Sequence, residues 1–212
     1  TSLLTEMGTE RFLQEILTPL RPHYDYIIID TNRAASPLMT NALTAADSVL
    51  IPICPEFYST EGLSDLISSV LKNRRRLNPA IQFEGIVFSR CNLRTNLYRT
   101  TCANVEAAFQ DEIRVFRTAI PETGKVGDAI RRGLTVMEYA PDSKASIAYR
   151  AFAKELISHV ESTPTKGVRS MSSLAAEFAG QDNEQEIEIT QKGLMLVMIA
   201  DFSRFQTSAF WT

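Results

Sequence analysis

The stretch Tyr24-Asp25-Tyr26-Ile27-Ile28-Ile29-Asp30 constrains the fold more than any other part of the chain. Its apolar run is β-branched, short and without polar alternation, so it suits a strand buried on both faces of a parallel sheet. Such a strand needs neighbours of its own kind, joined by helical crossovers. Glu10 to Leu20 carries a helical apolar pattern through Phe12, Leu13, Ile16, Leu17 and Leu20, which Pro22 ends. Leu38 to Ala46 reads as a helix and Ser48 to Pro52 as a second buried strand. Leu63 to Leu77 is a long helix with Lys72, Arg74, Arg75 and Arg76 at the end where the helix dipole favours cations. Phe83 to Ser89 is a third strand, Asn96 to Phe109 a helix, Ile113 to Ile120 a fourth strand and Ser143 to Val160 a closing helix. This alternation predicts an α/β fold, a parallel doubly wound sheet with flanking helices. Ligands of such sheets sit beyond the carboxyl ends of the strands. Asp30 to Ser36, Pro52 to Tyr58, Ser89 to Asn96 and Pro121 to Gly133 are therefore the segments in which to look for chemistry.

Charge and cysteine usage narrow the function classes. Residues 1–160 hold 18 basic and 18 acidic side chains and residues 161–212 hold 4 and 7, so the net charge of −3 comes from the tail. A general polyanion binder is not suggested, and local patches matter more than the total. Cys54, Cys91 and Cys102 lack C-x-x-C spacing, which argues against zinc or a disulfide framework and fits a reducing cytosol. His23 and His159 are far apart, and no Ser/His/Asp or Cys/His triad can be assembled around them. No apolar run reaches the roughly 18 residues of a membrane span. The expected division is 1–160 as one α/β domain and 161–212 as a linker and tail. Within the tail, Ser172 to Gly180 reads as a short helix, Gln181 to Glu188 is acidic and Leu194 to Phe202 is apolar.

Asp30 closes its hydrophobic strand at the edge where ligands bind. A carboxylate lifted there can hold Mg²⁺ through water beside nucleotide phosphates, the Walker B arrangement. An Asp at a strand end also serves as a plain turn former, and the residues of the strand alone leave both roles open.

The residues that follow resemble the ParA/MinD group of partition ATPases. The resemblance runs through Asp30-Thr31-Asn32, a switch-like segment to Pro37, Asn41-Ala42-Leu43-Thr44-Ala45-Ala46-Asp47 and Ile51-Pro52. It continues through Glu61-Gly62-Leu63, Leu77-Asn78-Pro79, Glu84-Gly85-Ile86, Arg94-Thr95-Asn96-Leu97, Ile120-Pro121 and Lys125-Val126-Gly127-Asp128-Ala129. It closes on Tyr139, Pro141, Ser143-Lys144-Ala145, Ala148-Tyr149 and Ala153-Lys154-Glu155-Leu156. The resemblance implies a P-loop NTPase-like fold, Mg²⁺ and ATP as cofactors, a homodimer, non-specific binding to double-stranded DNA, a ParB-like partner and a cytoplasmic, nucleoid-associated location without membrane. It implies Asp30 as the catalytic-site acid that holds Mg²⁺ through water. Ser89, Arg90, Pro121 and Glu122 would flank the adenine, and Arg94 and Lys125 would contact DNA phosphates.

The chain also departs from that family. No G-x-x-x-x-G-K-[ST] loop occurs in these 212 residues, and Gly124-Lys125 is followed by Val without the earlier Gly. Arg33 stands where the family's switch usually has Pro, which frees the backbone and adds a charge. The expectation is a chain truncated at its N-terminus, short of strands and of the phosphate-binding lysines, which leaves its ATPase activity open. The strand at Tyr26 to Asp30 would then lack a neighbour, unless Gln185 to Ile199 folds back to cover the gap. Two rivals remain. One is a remnant or binding protein that keeps the surface without nucleotide. The other is a MinD-like membrane regulator, opposed by an acidic tail whose apolar stretch is not amphipathic. Around Arg94 and Lys125, residues 90–132 also hold Arg90, Arg99, Arg114, Arg117, Arg131 and Arg132 against five acids, which a solvated mixed-charge surface would equally explain.

Overall fold

Alternation along the strands sorts their side chains onto two faces of one sheet. The structure, a computed structural model, describes residues 9–32, 36–55, 60–109, 112–162 and 194–200. A 3-10 turn at Thr9–Arg11 leads into α1 (Phe12–Leu17), and a second at Thr18–His23 carries the chain to β1 (Tyr26–Asn32). Then follow α2 (Pro37–Ala45), β2 (Ser48–Ile53), α3 (Thr60–Arg76), β3 (Gln82–Phe88) and α4 (Asn96–Phe109). Two short helices, α5 (Gly124–Ile130) and α6 (Val136–Tyr139), precede the long α7 (Lys144–Ser162). The last strand, β4 (Leu194–Ala200), comes from the stretch set apart above as a tail.

The sheet is parallel throughout, in the order β1-β4-β2-β3. One face carries Val49, Ile51, Ile86 and Phe88, which join Met39 and Leu43 of α2 and Leu63, Leu66 and Val70 of α3 in the main core. Each such fully buried side chain contributes about 1.5–3 kcal/mol relative to exposure. The opposite face carries Leu50 and Val87, covered by Phe116 and by Phe152 and Leu156 of α7. That cover stops short of β1, where Ile28 is 64% exposed.

The polar residues of the Asn41-to-Asp47 motif bind structure. Asn41 Oδ1 accepts from Leu13 N at 3.1 Å, and Asp47 takes Arg21 Nη2 on both oxygens at 2.6 and 2.5 Å. Asn78, from the matching Leu-Asn-Pro turn, donates to Leu43 O at 2.9 Å and Ala46 O at 2.7 Å. These bonds fasten the lead-in of β1, the end of α2 and the start of β2 to one another. Buried carbonyls left without such donors would each cost about 1–3 kcal/mol.

Two expectations need correction. Ile113 to Ile120 forms no strand of its own. It lies beside β3 through Ile86 N to Arg114 O (2.8 Å), Phe116 N to Ile86 O (2.9 Å) and Ile120 N to Phe88 O (2.8 Å), and makes only isolated bridges. Gly85 permits this approach. Its φ is +150°, and a Cβ there would meet Arg114 O at 2.8 Å and Phe116 Cε2 at 2.6 Å. The helix expected over Glu10 to Leu20 is likewise reduced to six residues between 3-10 turns, because Pro19 lacks the N–H that would continue it. The short helix expected at Ser172 to Gly180 and the acidic stretch Gln181 to Glu188 lie outside the described residues.

Candidate functional site

Asp30 stands near the carboxyl end of β1, in register with Met198 of β4. Partial burial raises its carboxyl above the ordinary value of 3.8. Arg33, in the segment after it, lies outside the described residues.

Ser89, Arg90, Pro121 and Glu122 come from segments 32 residues apart and meet at the end of β3. Ser89 N donates to Ile53 O at 2.8 Å, which ties the turn to the end of β2. Cys91 and Pro121 form a parallel bridge, with Cys91 N donating to Ile120 O at 3.0 Å and Glu122 N to Cys91 O at 3.1 Å. Arg90 Nη2 then reaches Glu122 Oε1 at 3.4 Å across the two loops. Both partners are exposed, so the pair contributes at most about 1 kcal/mol and serves chiefly to align the rim. Arg90 adopts φ +53°, a left-handed conformation rare outside glycine and frequent at ligand clamps. Beneath it, burial pushes the Cys91 thiol up to about 12, with Cys54 and Cys102 adding to the effect, so this cysteine is an inert core residue.

Arg94 and Lys125 follow directly on these two loops. Arg94 precedes Thr95, whose Oγ1 accepts from Tyr98 N at 3.2 Å and opens α4. Lys125 opens α5, where Thr123 Oγ1 accepts its backbone N–H at 3.2 Å. Its Nζ stands 5.7 Å from the centre of the Tyr139 ring, and Arg132 Cζ stands 4.8 Å from the same centre. Tyr139 thus gathers two cations. Arg114 and Arg131 are paired with Glu155 and Asp128, whereas no acid pairs with Arg94, Arg99, Lys125 or Arg132 among the described residues. The rim is therefore cationic where it is unpaired.

Glu155 is the residue that sequence reading passed over as a functional support. Its carboxylate accepts from Arg117 N at 2.9 Å, Thr118 N at 3.0 Å and Thr118 Oγ1 at 2.7 Å. It thereby fixes the run that leads to Pro121. Its only signal in the sequence was its place in the Ala153-to-Leu156 block of the resemblance.

The donor set bears on cofactors. No cluster of three or more His, Cys, Asp and Glu able to hold a metal is found among the described residues. Asp30 is the residue that could hold Mg²⁺, which takes one or two carboxylates and completes its shell with water and phosphate oxygens. The Ser89–Arg90 turn and Pro121–Glu122 are the segments that could flank a nucleotide base, and the Arg90–Glu122 pair joins them. The phosphates are different, because no Gly-rich loop with a lysine occurs in the 212 residues to receive them. No hydrolysis step is assigned to this chain. No helix among the described residues is long and apolar enough to cross a membrane.

Comparison with known proteins agrees with the fold. A family model described as an AAA domain matches residues 1–83. The sporulation initiation inhibitor protein Soj of Bacillus subtilis is 35% identical over 154 residues, 73% of this chain and 60% of that protein. The chromosome partitioning protein ParA of Myxococcus xanthus is 34% identical over 155 residues, 73% of this chain and 54% of that protein. Among solved structures, cobyrinic acid a,c-diamide synthase from Mycobacterium smegmatis, with a bound ATP analog and magnesium, superposes with a TM-score of 0.64. It is 28% identical and covers 76% of this chain and 58% of its own. The chain spans 54% to 60% of the length of the two named relatives.

A parallel sheet flanked by helices, with an acid closing one strand, places the chain in the P-loop NTPase fold class. Within that class, the matched stretch is similar to the ParA/Soj group of chromosome-partitioning proteins.

Proposed function

We propose that this chain serves in DNA partitioning as the part of a Mg·ATP-dependent ParA-like switch that carries the magnesium acid, the base rim and the DNA-facing cations. The observation that supports this best is the convergence at one sheet edge of the Ser89–Arg90 turn, Pro121–Glu122 and the unpaired cations that follow them. In this reading Asp30 holds Mg²⁺ through water, and Ser89, Arg90, Pro121 and Glu122 flank the adenine. Arg94 and Lys125 contact DNA phosphates, with Arg132 drawn in through Tyr139. Lysine and arginine suit that role because phosphates need charge and forked donors and carry no sequence. One copy offers few such cations, so the reading includes a homodimer that doubles the patch, release by a ParB-like partner and a cytoplasmic place on the nucleoid. Residues 1–212 alone, without a phosphate cradle, bind ATP no tighter than millimolar.

The test joins a relative's Gly-rich, lysine-bearing N-terminal segment to this chain and titrates unrelated duplexes with and without ATP at several salt concentrations. The fusion binds every duplex in an ATP-dependent way. Arg94→Ala with Lys125→Ala weakens all of them equally and flattens the salt slope, by about 0.9 for each phosphate no longer neutralised. Unchanged affinity in the double variant would remove these residues from the interface. Loss of ATP binding along with DNA binding would assign them to the fold instead.

A further inference from the structure

β4 is the only ladder connection between β1 and the rest of the sheet among the described residues. It pairs with all seven residues of β1, from Tyr26↔Leu194 to Asn32↔Ala200. With β2 it pairs over three, Ser48↔Leu196 to Leu50↔Met198. Without it, one edge of each neighbour would be left with unpaired backbone groups, a cost that chains avoid by pairing or solvating them.

β1 and β2 cannot simply close up to replace it. With a strand between them they stand about 10 Å apart, twice the ordinary strand spacing. That spacing is held from outside the ladder. Arg21, just ahead of β1, pairs with both oxygens of Asp47, just ahead of β2. Leu13 N binds Asn41 of α2, whose end Asn78 holds in turn. The gap therefore has a fixed width of one strand, a parallel sense and a register. Its occupant arrives out of chain order, beyond the end of α7 at Ser162, and reads Leu-Met-Leu-Val-Met-Ile-Ala. That sequence has no charge, no Gly and no Pro, as a strand flanked by neighbours on both edges requires.

We propose that the β1–β2 gap is a strand-acceptor slot held open by the Arg21–Asp47 pair, and that Leu194–Ala200 is its exchangeable occupant. Exchangeability follows from the uneven pairing. The segment is tied along the whole of β1 but over only half of β2. A free uncharged peptide of the same sequence meets the same ladder groups, so the slot accepts it in parallel register. This inference concerns the ladder alone and stands or falls apart from the nucleotide reading.

The test is amide hydrogen exchange read by mass spectrometry on the full chain. Residues 27–32 and 195–200 exchange slowly and lose protection together as denaturant is added. Val197→Pro removes a ladder N–H from the middle of β4. It brings both segments to within about tenfold of unprotected rates, while 83–88 in β3 and 63–70 in α3 keep their protection. Val197→Thr, which keeps the N–H, leaves all of them slow. A synthetic, end-capped peptide of residues 194–200 added to V197P restores slow exchange at 27–32. Free exchange of 195–200 in the unmodified chain overturns the proposal, as does full protection of 27–32 in V197P. Should V197P lose protection in β3 as well, the peptide must restore the whole sheet, and its failure to do so also overturns the proposal.

Discussion

Leu43 of α2 and Ile28 of β1 are large aliphatic residues on elements consecutive in the chain, yet Leu43 is 2% exposed and Ile28 is 64% exposed. Leu43 belongs to the half made of α2, β2, α3 and β3, whose core is closed by sequence neighbours. Ile28 belongs to β1, which among the described residues pairs only with a segment from the far end of the chain and is not part of the cluster that α7 covers. The first half carries the signature residues that turn out to hold structure, Asn41, Asp47 and Asn78. The second carries Asp30. Asp30 thus sits on the half that depends on what is laid beside it, and the Ser89–Arg90 and Pro121–Glu122 loops sit at the end of β3 on the half that is complete.

The largest effect should come from deleting the same chemistry on the two halves. Leu43→Ala should cost about 2–5 kcal/mol in urea unfolding, because the site cannot collapse around the cavity. Ile28→Ala should stay within about 0.5 kcal/mol, as exposed positions do. A similar cost at both positions would mean that β1 is covered in solution, and the contrast between the halves would vanish.

A smaller effect is expected at Glu155 of α7, the helix that covers the complete half. Burial pushes its carboxyl up, but the bonds from Thr118 and from the backbone N–H groups of Arg117 and Thr118 outweigh this, leaving it below the ordinary 4.5. A lowered folded-state value gives stability that is present above the unfolded value and is lost as pH falls through the folded one. Unfolding free energy should therefore decline as pH drops below about 4.5. Glu155→Gln should flatten that decline and cost about 1–2 kcal/mol at neutral pH. An unchanged acid limb would show that the carboxylate does not hold the 117–118 run.

The smallest effect carries the opposite sign. Asp30 is raised by burial, so its ionisation opposes folding once pH exceeds the unfolded value. Asp30→Asn should slightly raise the melting temperature at neutral pH without Mg²⁺. A clear drop would make Asp30 a structural turn former, the role that the strand alone left open.

Much of the complete half was legible because burial there follows the strand and helix periods. α4 has the bounds expected from its apolar spacing, and α2, β2 and β3 differ by a residue or two at their ends. Asp30 was legible from its place at the end of an apolar run. The run at Ile113 to Ile120 was misread because its pairing depends on the Gly85 bulge, where the β2–β3 register shifts between Val49 and Leu50. The left-handed turn at Arg90 and its bond to Glu122 join residues 32 apart with no local pattern to announce them. For β4, the apolar stretch and its fold-back beside Tyr26 to Asp30 were among the expectations, but its register, and its pairing with β2, rest on partners more than a hundred residues away.

The measurement closest to the central claim is an isothermal titration of Mg·ATP into residues 1–212, into the fusion that supplies the Gly-rich loop, and into the fusion with Asp30→Asn. The account predicts binding no tighter than millimolar for residues 1–212 and micromolar binding for the fusion. It also predicts loss of the Mg²⁺ dependence in the Asp30→Asn fusion. Micromolar Mg·ATP binding by residues 1–212 alone, or Mg²⁺ dependence that survives Asp30→Asn, would contradict it.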